Sequence, residues 1–248
     1  MKNNIILWTS AFVIVFVLSY LKSIYSENYP ITGTIGVDGQ KLSYKLDKEG
    51  YGKNHKLLIN SDNPDINASA IVIKNKDTIQ LPFNKEGVFL SCELDRRITD
   101  KNFNYHLLIN SKSNNYRVPN NGDINFVFWG KISKMLSFLY NLFLFSGMIL
   151  IARAGLEYFN NNFLTKKLMV LAGVVWMTFI MLINPLYLSY KFEYINHIIT
   201  PIQSLFPIEY LSIFMLLIIS TILTFNKKFT DKPVSLVFSI VGLILYMI

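Results

Sequence analysis

A single cysteine stands in the chain of 248 residues, so no intrachain disulfide can form. Any part of the protein displayed in an oxidising compartment must hold together without covalent staples. There are only three histidines, and no His or Cys cluster of the kind a zinc ion needs. Charge is scarce too: 16% of residues are charged, against about 25% in a soluble domain. The deficit falls in blocks. No Asp, Glu, Lys, Arg or His lies in the central part of any long apolar run. Ion-coupled pumps and transporters usually carry an ionisable group at that depth. GxSxG, HExxH, a Walker motif and paired intramembrane aspartates are also missing. These absences argue against an enzyme, and no cofactor and no metal are expected.

The residues that are there are 52% hydrophobic and 15% aromatic, with a mean hydropathy of +0.34. That excludes a purely soluble enzyme, a disordered chain and a disulfide scaffold. The net charge of +8 suggests nucleic acid at first sight, but the apolar runs dominate the composition and no nucleic-acid partner is expected. A bilayer core of about 30 Å needs about 20 apolar residues in a helix. Five runs approach this: residues 5–21, 136–152, 168–188, 208–225 and 234–248. The last is short, about 22 Å as a helix, and spans only with thinning or with help from its neighbours. The first has a second reading. Lys2, the apolar run and Ile24-Tyr25-Ser26 also fit a signal peptide cut after Ser26. The length of the run, with Trp8 and Tyr20 inside it, favours an uncleaved anchor.

Orientation follows from Lys and Arg near the span ends. With the N-terminus in the cytoplasm, the inner side collects Lys2, Arg153, Lys166, Lys167, Lys227, Lys228 and Lys232. The outer side collects Lys22, Lys131, Lys134 and Lys191. This bias puts residues 26–130 outside the cytoplasmic membrane. The expected domains are an anchor over 1–25, an extracytoplasmic β domain over 26–130, and a four-helix transmembrane region over 131–248.

The polar segment reads as β structure. ITGTIGV (31–37) meets KLSYKL (41–46) across Asp38-Gly39, a strong hairpin signal because a type I′ turn needs positive φ at both central residues. Leu42, Tyr44 and Leu46 alternate with Lys41, Ser43 and Lys45, as in a half-buried strand. Further strands are expected at 55–60, 70–75, 78–83, 88–94, 105–110 and 116–119, with Gly, Pro, Asn and Asp between them, and 124–129 runs on into the second span. Short strands at this spacing predict a β-sandwich. The fold class is thus an α+β membrane protein. Trp129 with Lys131 reads as an interfacial anchor.

Phe103 to Pro119, with the sequence FNYHLLINSKSNNYRVP, resembles the closing hairpin of an immunoglobulin or fibronectin type III domain. The order of anchor, ITGTIGVDGQKLSYKL, sandwich and helices is similar to bacterial multi-span membrane proteins with such an extracytoplasmic domain. A core Trp in an early strand, common in that fold, is absent, because Trp8, Trp129 and Trp176 lie elsewhere. The resemblance carries no catalytic residue across.

Five side chains are singled out for binding. Arg96 and Arg97 lie in a charge run with Asp95, Asp100 and Lys101, read as a docking patch or a solvated loop. Glu193, Tyr194 and His197 lie in an aromatic loop after the third span. If residues 191–200 are helical, Glu193 and His197 share one face. That segment reads as a partner-contacting helix or an aromatic-belt helix. Cys92 shares a face with Val88, Leu90 and Leu94, which predicts an inert core thiol rather than a nucleophile paired with His55 or His106. Asn184-Pro185 predicts a helix end or a kink. The functional expectation is a non-enzymatic accessory subunit, bound to the lipid bilayer and to other membrane or extracytoplasmic proteins. The alternatives are a transporter subunit with a polar cavity lined by Asn141, Thr178 and Asn184, or an enzyme with an outer-surface site at Glu193 and His197.

Overall fold

The structure, a computed structural model, describes residues 2–248 apart from 62–65, 75–76, 112–113, 161–163, 195–200 and 227–229. The chain is α+β and divides into two compact units: Ser26–Lys131, and Met1–Tyr25 together with Ile132–Ile248.

The first unit holds eleven strands in two sheets. The hairpin forms where Asp38-Gly39 predicts it, between β1 (Ile31–Val37) and β2 (Gln40–Leu46), and both turn residues have positive φ. β2 then pairs β4 (Asn54–Asn60), β4 pairs β8 (Phe89–Asp95), and β8 pairs β7 (Asn84–Glu86). The second sheet runs β3 (Glu49–Tyr51), β11 (Ile124–Trp129), β9 (Asn102–Asn110), β5 (Asn67–Lys74), β6 (Asp77–Pro82). β10 (Asn115–Val118) pairs the far end of β9, on the side that β11 pairs. β3 and β7 escape sequence reading because three residues are too few to show a period of two. The pair β3–β11 is parallel.

Both sheets contribute to one buried cluster. Leu42, Leu57, Ile59, Leu90 and Leu94 come from the first, and Val72, Phe103, Tyr105, Leu107, Phe126 and Phe128 from the second. Phe126 is at its centre, with ring centroids 5.0 to 6.0 Å from those of Phe128, His55, Phe103 and Tyr105. The Tyr105 hydroxyl reaches the one polar partner available, donating to Asp47 O at 2.8 Å.

The second unit is helical. α1 (Lys2–Tyr25) packs on α3 (Lys134–Leu156); α2 (Arg96–Thr99) is a single turn in the β unit. α3 also contacts α4 (Thr165–Thr178) and α8 (Asp231–Met247), and α7 (Ile208–Phe225) packs against α4 and α8. Asn3–Tyr25, Lys134–Phe159, Thr165–Lys191 and Ile208–Phe225 are each long and apolar enough to cross a membrane. α8 has 17 residues, about 25 Å, and starts earlier than its apolar run because Asp231 and Lys232 form its first turn. The outer faces are apolar: Phe12, Phe16, Phe138, Val174, Ile222 and Ile244 are all more than half exposed.

Pro185 does not end its helix. The chain continues from α4 through a π-helical turn, Phe179–Ile183, into α5 (Asn184–Lys191); a further short turn, α6, covers Ile202–Leu205. Pro185 lacks an N–H and its ring crowds the carbonyl four residues back. The wider π turn before it absorbs that clash without breaking the span.

Close helix approach rests on two glycines. A Cβ on Gly147 would lie 2.6 Å from Trp176 Cε3, and one on Gly155 would lie 2.6 Å from Ser239 Cβ. The second approach lets Ser235 and Ser239 of α8 donate to Ala154 O and Ile151 O of α3, at 3.1 and 2.7 Å.

Candidate functional site

The helical unit holds a polar corner at the C-terminal end of α3. Arg153 ends the helix, and Glu157 follows one turn later, at i+4. Their ion pair spans 2.7 Å, and both side chains are completely buried. Arg153 Nη2 also donates to Asn4 Oδ1 at 2.6 Å, and its guanidinium lies 5.5 Å from the Trp8 ring centroid. Glu157 Oε1 accepts from Asn160 Nδ2 at 3.2 Å, and Asn160 O accepts in turn from Lys232 Nζ. The network thus reaches from α1 through α3 to the start of α8. It is incomplete: Arg153 Nε and Nη1 and Glu157 Oε2 have no hydrogen-bond partner. A buried charged pair with orphan atoms is costly and rarely kept without a use.

Beside this corner opens a cavity of about 550 Å³, lined by Tyr158, Thr165, Lys166, Thr230, Asp231 and Lys232. Lys166 and Asp231 pair across it at 3.3 Å. Its volume is in the range of small-molecule sites.

The other end of the helices carries an aromatic layer. Tyr140 and Tyr187 stack at 4.1 Å, the Tyr140 and Tyr210 hydroxyls meet at 3.0 Å, and Trp176 Nε1 donates to Tyr210 O at 3.2 Å. Lys22 Nζ donates to Tyr246 O at 2.5 Å. Asn184 is fully buried: its Nδ2 donates to Leu205 O at 3.0 Å, and its Oδ1 has no partner.

Of the residues chosen from sequence, Arg96 and Arg97 belong to the β unit, and Glu193 and Tyr194 to the helical one. Arg96 and Arg97 open α2, where Asp95 is the N-cap: Asp95 Oδ1 accepts from the Arg97 backbone N–H at 2.8 Å, and Oδ2 from Arg97 Nη2 at 2.6 Å. These hydrogen bonds hold the Asp95 carboxyl below its usual range and raise the Arg97 guanidinium. Glu193 interrupts the α-helix, and Tyr194 follows in a 3-10 turn. α5 ends at Lys191, and Glu193 has φ +63°, a left-handed conformation that terminates an α-helix. The segment that would carry the i, i+4 face expected for Glu193 and His197 continues past Tyr194 into residues 195–200, outside the described ones. His197 itself lies outside the described residues. Asn141 and Thr178 each bond a carbonyl one turn back on their own helix, at 3.0 Å, apart from Asn184. Trp129 donates to Glu49 Oε2 at 2.9 Å, within the β unit.

Cys92 is buried on the inner face of β8, and burial, then the nearby Glu93 charge, push its thiol up to about 11. The full-length protein is expected to resist iodoacetamide at pH 8 and to label only once denatured, as followed by intact mass. Rapid labelling of the folded protein contradicts the core assignment. His106 pairs with Asp123 at 2.8 Å, and Asp123 also binds Arg117 at 2.7 Å, so this outer-face histidine has a fixed partner. His55 contacts Asp47 at 3.2 Å, and that bond holds the Asp47 carboxyl below its usual range. Among the described residues no group of three His, Cys, Asp or Glu could hold a metal ion.

Sequence reasoning passed over Arg153 and Glu157 because Arg153 reads as a flanking charge. The available signal was their i, i+4 spacing at the end of an apolar run, followed by Asn160. The chain matches no protein-family model, no curated protein and no solved structure.

Proposed function

We propose that this is a non-enzymatic integral protein of the cytoplasmic membrane whose extracytoplasmic immunoglobulin-like sandwich binds an extended segment of another protein. Membrane insertion is supported by the four long apolar helices and their apolar outer faces. Orientation is supported by charge: Arg153, Lys166 and Lys232 gather at one end of the helices and Lys22 at the other, a bias that favours a cytoplasmic N-terminus. Strand order supports the immunoglobulin-like reading. β2-β4-β8-β7 follows the pattern ABED, and β11-β9-β5-β6 follows GFC with an added C′. On this assignment Tyr105 and Leu107 lie on strand F, with an apolar side chain where antibody domains carry their second cysteine.

The observation that carries the binding role is the contrast among sheet edges. Exposed edges pair with other chains unless they are short, charged or interrupted by proline. β7 and β3 have three residues each and carry charge, and β6 begins with Asp77 and ends with Pro82. β1 has seven residues, ITGTIGV, with no charge and no proline. It is the edge suited to strand addition.

The test uses the full chain in native membranes. A photo-crosslinking residue at Thr34 is expected to form adducts, and one at Thr78 on β6 is not. Thr32→Lys, an exposed change on the same edge, is expected to abolish the Thr34 adducts while an impermeant thiol reagent still labels Ser43→Cys from outside. Equal adducts from β6, or labelling of Ser43→Cys only after permeabilisation, rejects the reading.

A further inference from the structure

A second groove runs along the outside of the helical unit, between α4 and α7. Its volume is about 430 Å³, and its lining includes Val170, Gly173, Val174, Met177, Ile218 and Ile222. The two helices run antiparallel. Lys166, at the start of α4, lies 5.5 Å from the ring centroid of Phe225, at the end of α7. Trp176, near the end of α4, bonds Tyr210, near the start of α7. The groove therefore leads from its Ile222 end, one turn from Phe225, towards Lys166. Lys166 also lines the polar cavity beside the buried Arg153–Glu157 pair. One side chain thus stands where an uncharged groove at lipid depth meets a basic chamber.

The charges there are not balanced. Arg153 and Glu157 cancel within their ion pair. In the cavity lining that leaves Lys166 and Lys232 against Asp231, which pairs with Lys166. Lys232 donates one of its three N–H bonds to Asn160 O, and Thr165, Thr230 and Tyr158 add hydroxyls to the lining. A phosphate is the anion such a set suits, and an apolar chain is what the groove suits.

We propose that this composite site holds one anionic glycerophospholipid, with its phosphate between Lys166 and Lys232 and one acyl chain along Val174 and Ile218. The proposal rests on the membrane reading above and adds a specific lipid to it. The hydrogen-bonded chain from Lys232 through Asn160 to Glu157 ties the headgroup to the buried ion pair, so lipid occupancy braces α8 against α3. Gly173 fits this role. A Cβ there meets nothing within 4 Å, so this glycine serves no helix contact and leaves the groove open.

The full-length protein is reconstituted in phosphatidylcholine nanodiscs, titrated with phosphatidylglycerol, and released for native mass spectrometry. The wild type is expected to retain phosphatidylglycerol about tenfold over phosphatidylcholine, because lysines attract the net negative headgroup. Lys166→Gln with Lys232→Gln is expected to abolish the preference, and Lys167→Gln to leave it. Gly173→Phe, which adds bulk at a position where a Cβ meets nothing within 4 Å, is expected to lower retention severalfold. Glycerol 3-phosphate, which has the headgroup chemistry but no chain, is expected to leave no adduct. Equal retention of the two lipids by the wild type overturns the proposal, as does a preference that survives both Gly173→Phe and the double lysine change. An adduct with glycerol 3-phosphate as abundant as that with phosphatidylglycerol assigns the site to a free phosphate and overturns the lipid. Failure of the chain to enter nanodiscs rejects the membrane reading and this proposal together. If the double lysine variant does not fold, the wild-type lipid comparison and Gly173→Phe still decide.

Discussion

Glu157→Leu is expected to destabilise the helical unit by about 3–5 kcal/mol, the cost of leaving one buried charge uncompensated. Arg153 has no route to solvent, being completely buried, and without Glu157 it retains only Asn4 as a hydrogen-bond partner and Trp8 as a ring contact. The double change Arg153→Met with Glu157→Leu removes both charges and is expected to recover most of that loss, because well-packed apolar side chains of similar volume replace buried ion pairs with little penalty. Thermal or denaturant unfolding of the detergent-solubilised full chain measures both variants. A single variant as stable as the wild type shows that the pair is reached by water. A double variant as weak as the single one shows that the network with Asn4 and Asn160, rather than charge compensation, carries the stability.

Phe126→Ala is expected to cost the β unit about 3–5 kcal/mol. The ring is fully buried, four other rings surround it, and a Cβ added to Gly50 would come within 2.8 Å of its Cζ. Neighbours held by two hydrogen-bonded sheets cannot collapse into the space it leaves. Phe126→Leu keeps most of the volume and is expected to lose clearly less. The readout is limited proteolysis within residues 26–131, with the helical unit of the same chain as internal reference. The two units share no core cluster, so the helices are expected to stay protected in Phe126→Ala. Simultaneous loss of both units means that they unfold as one.

Strand periodicity and turn chemistry were readable along most of the β unit. Asp38-Gly39 demands positive φ whatever surrounds it, and it forms the turn between β1 and β2. The alternation of Leu42, Tyr44 and Leu46 with Lys41, Ser43 and Lys45 survives as burial on one side and exposure on the other. Three-residue strands leave no such pattern, and β3 exists only because β11 offers it a parallel partner. Pro185 shows the opposite failure. Its local chemistry predicts an end or a kink, yet burial of Asn184 against Leu205 and Phe179 against Trp176 and Tyr210 holds the helix together across a π turn. The helix glycines depend on tertiary context in the same way. Gly147 does receive Trp176 closely, Gly173 opens to empty space, and the tight contact at Gly155 depends on α8 arriving from 80 residues away.

Composition and period alone determine that long apolar helices flank a polar β segment, because both signals are local and strong: run length for a span, alternation for a strand. Tertiary structure decides which charges matter. Arg153 is a surface-like residue by its position at a helix end and becomes completely buried only when α1 brings Asn4 and Trp8, and Glu157 closes from the next turn. Burial is a property of what several distant segments exclude together, and no window of sequence contains it.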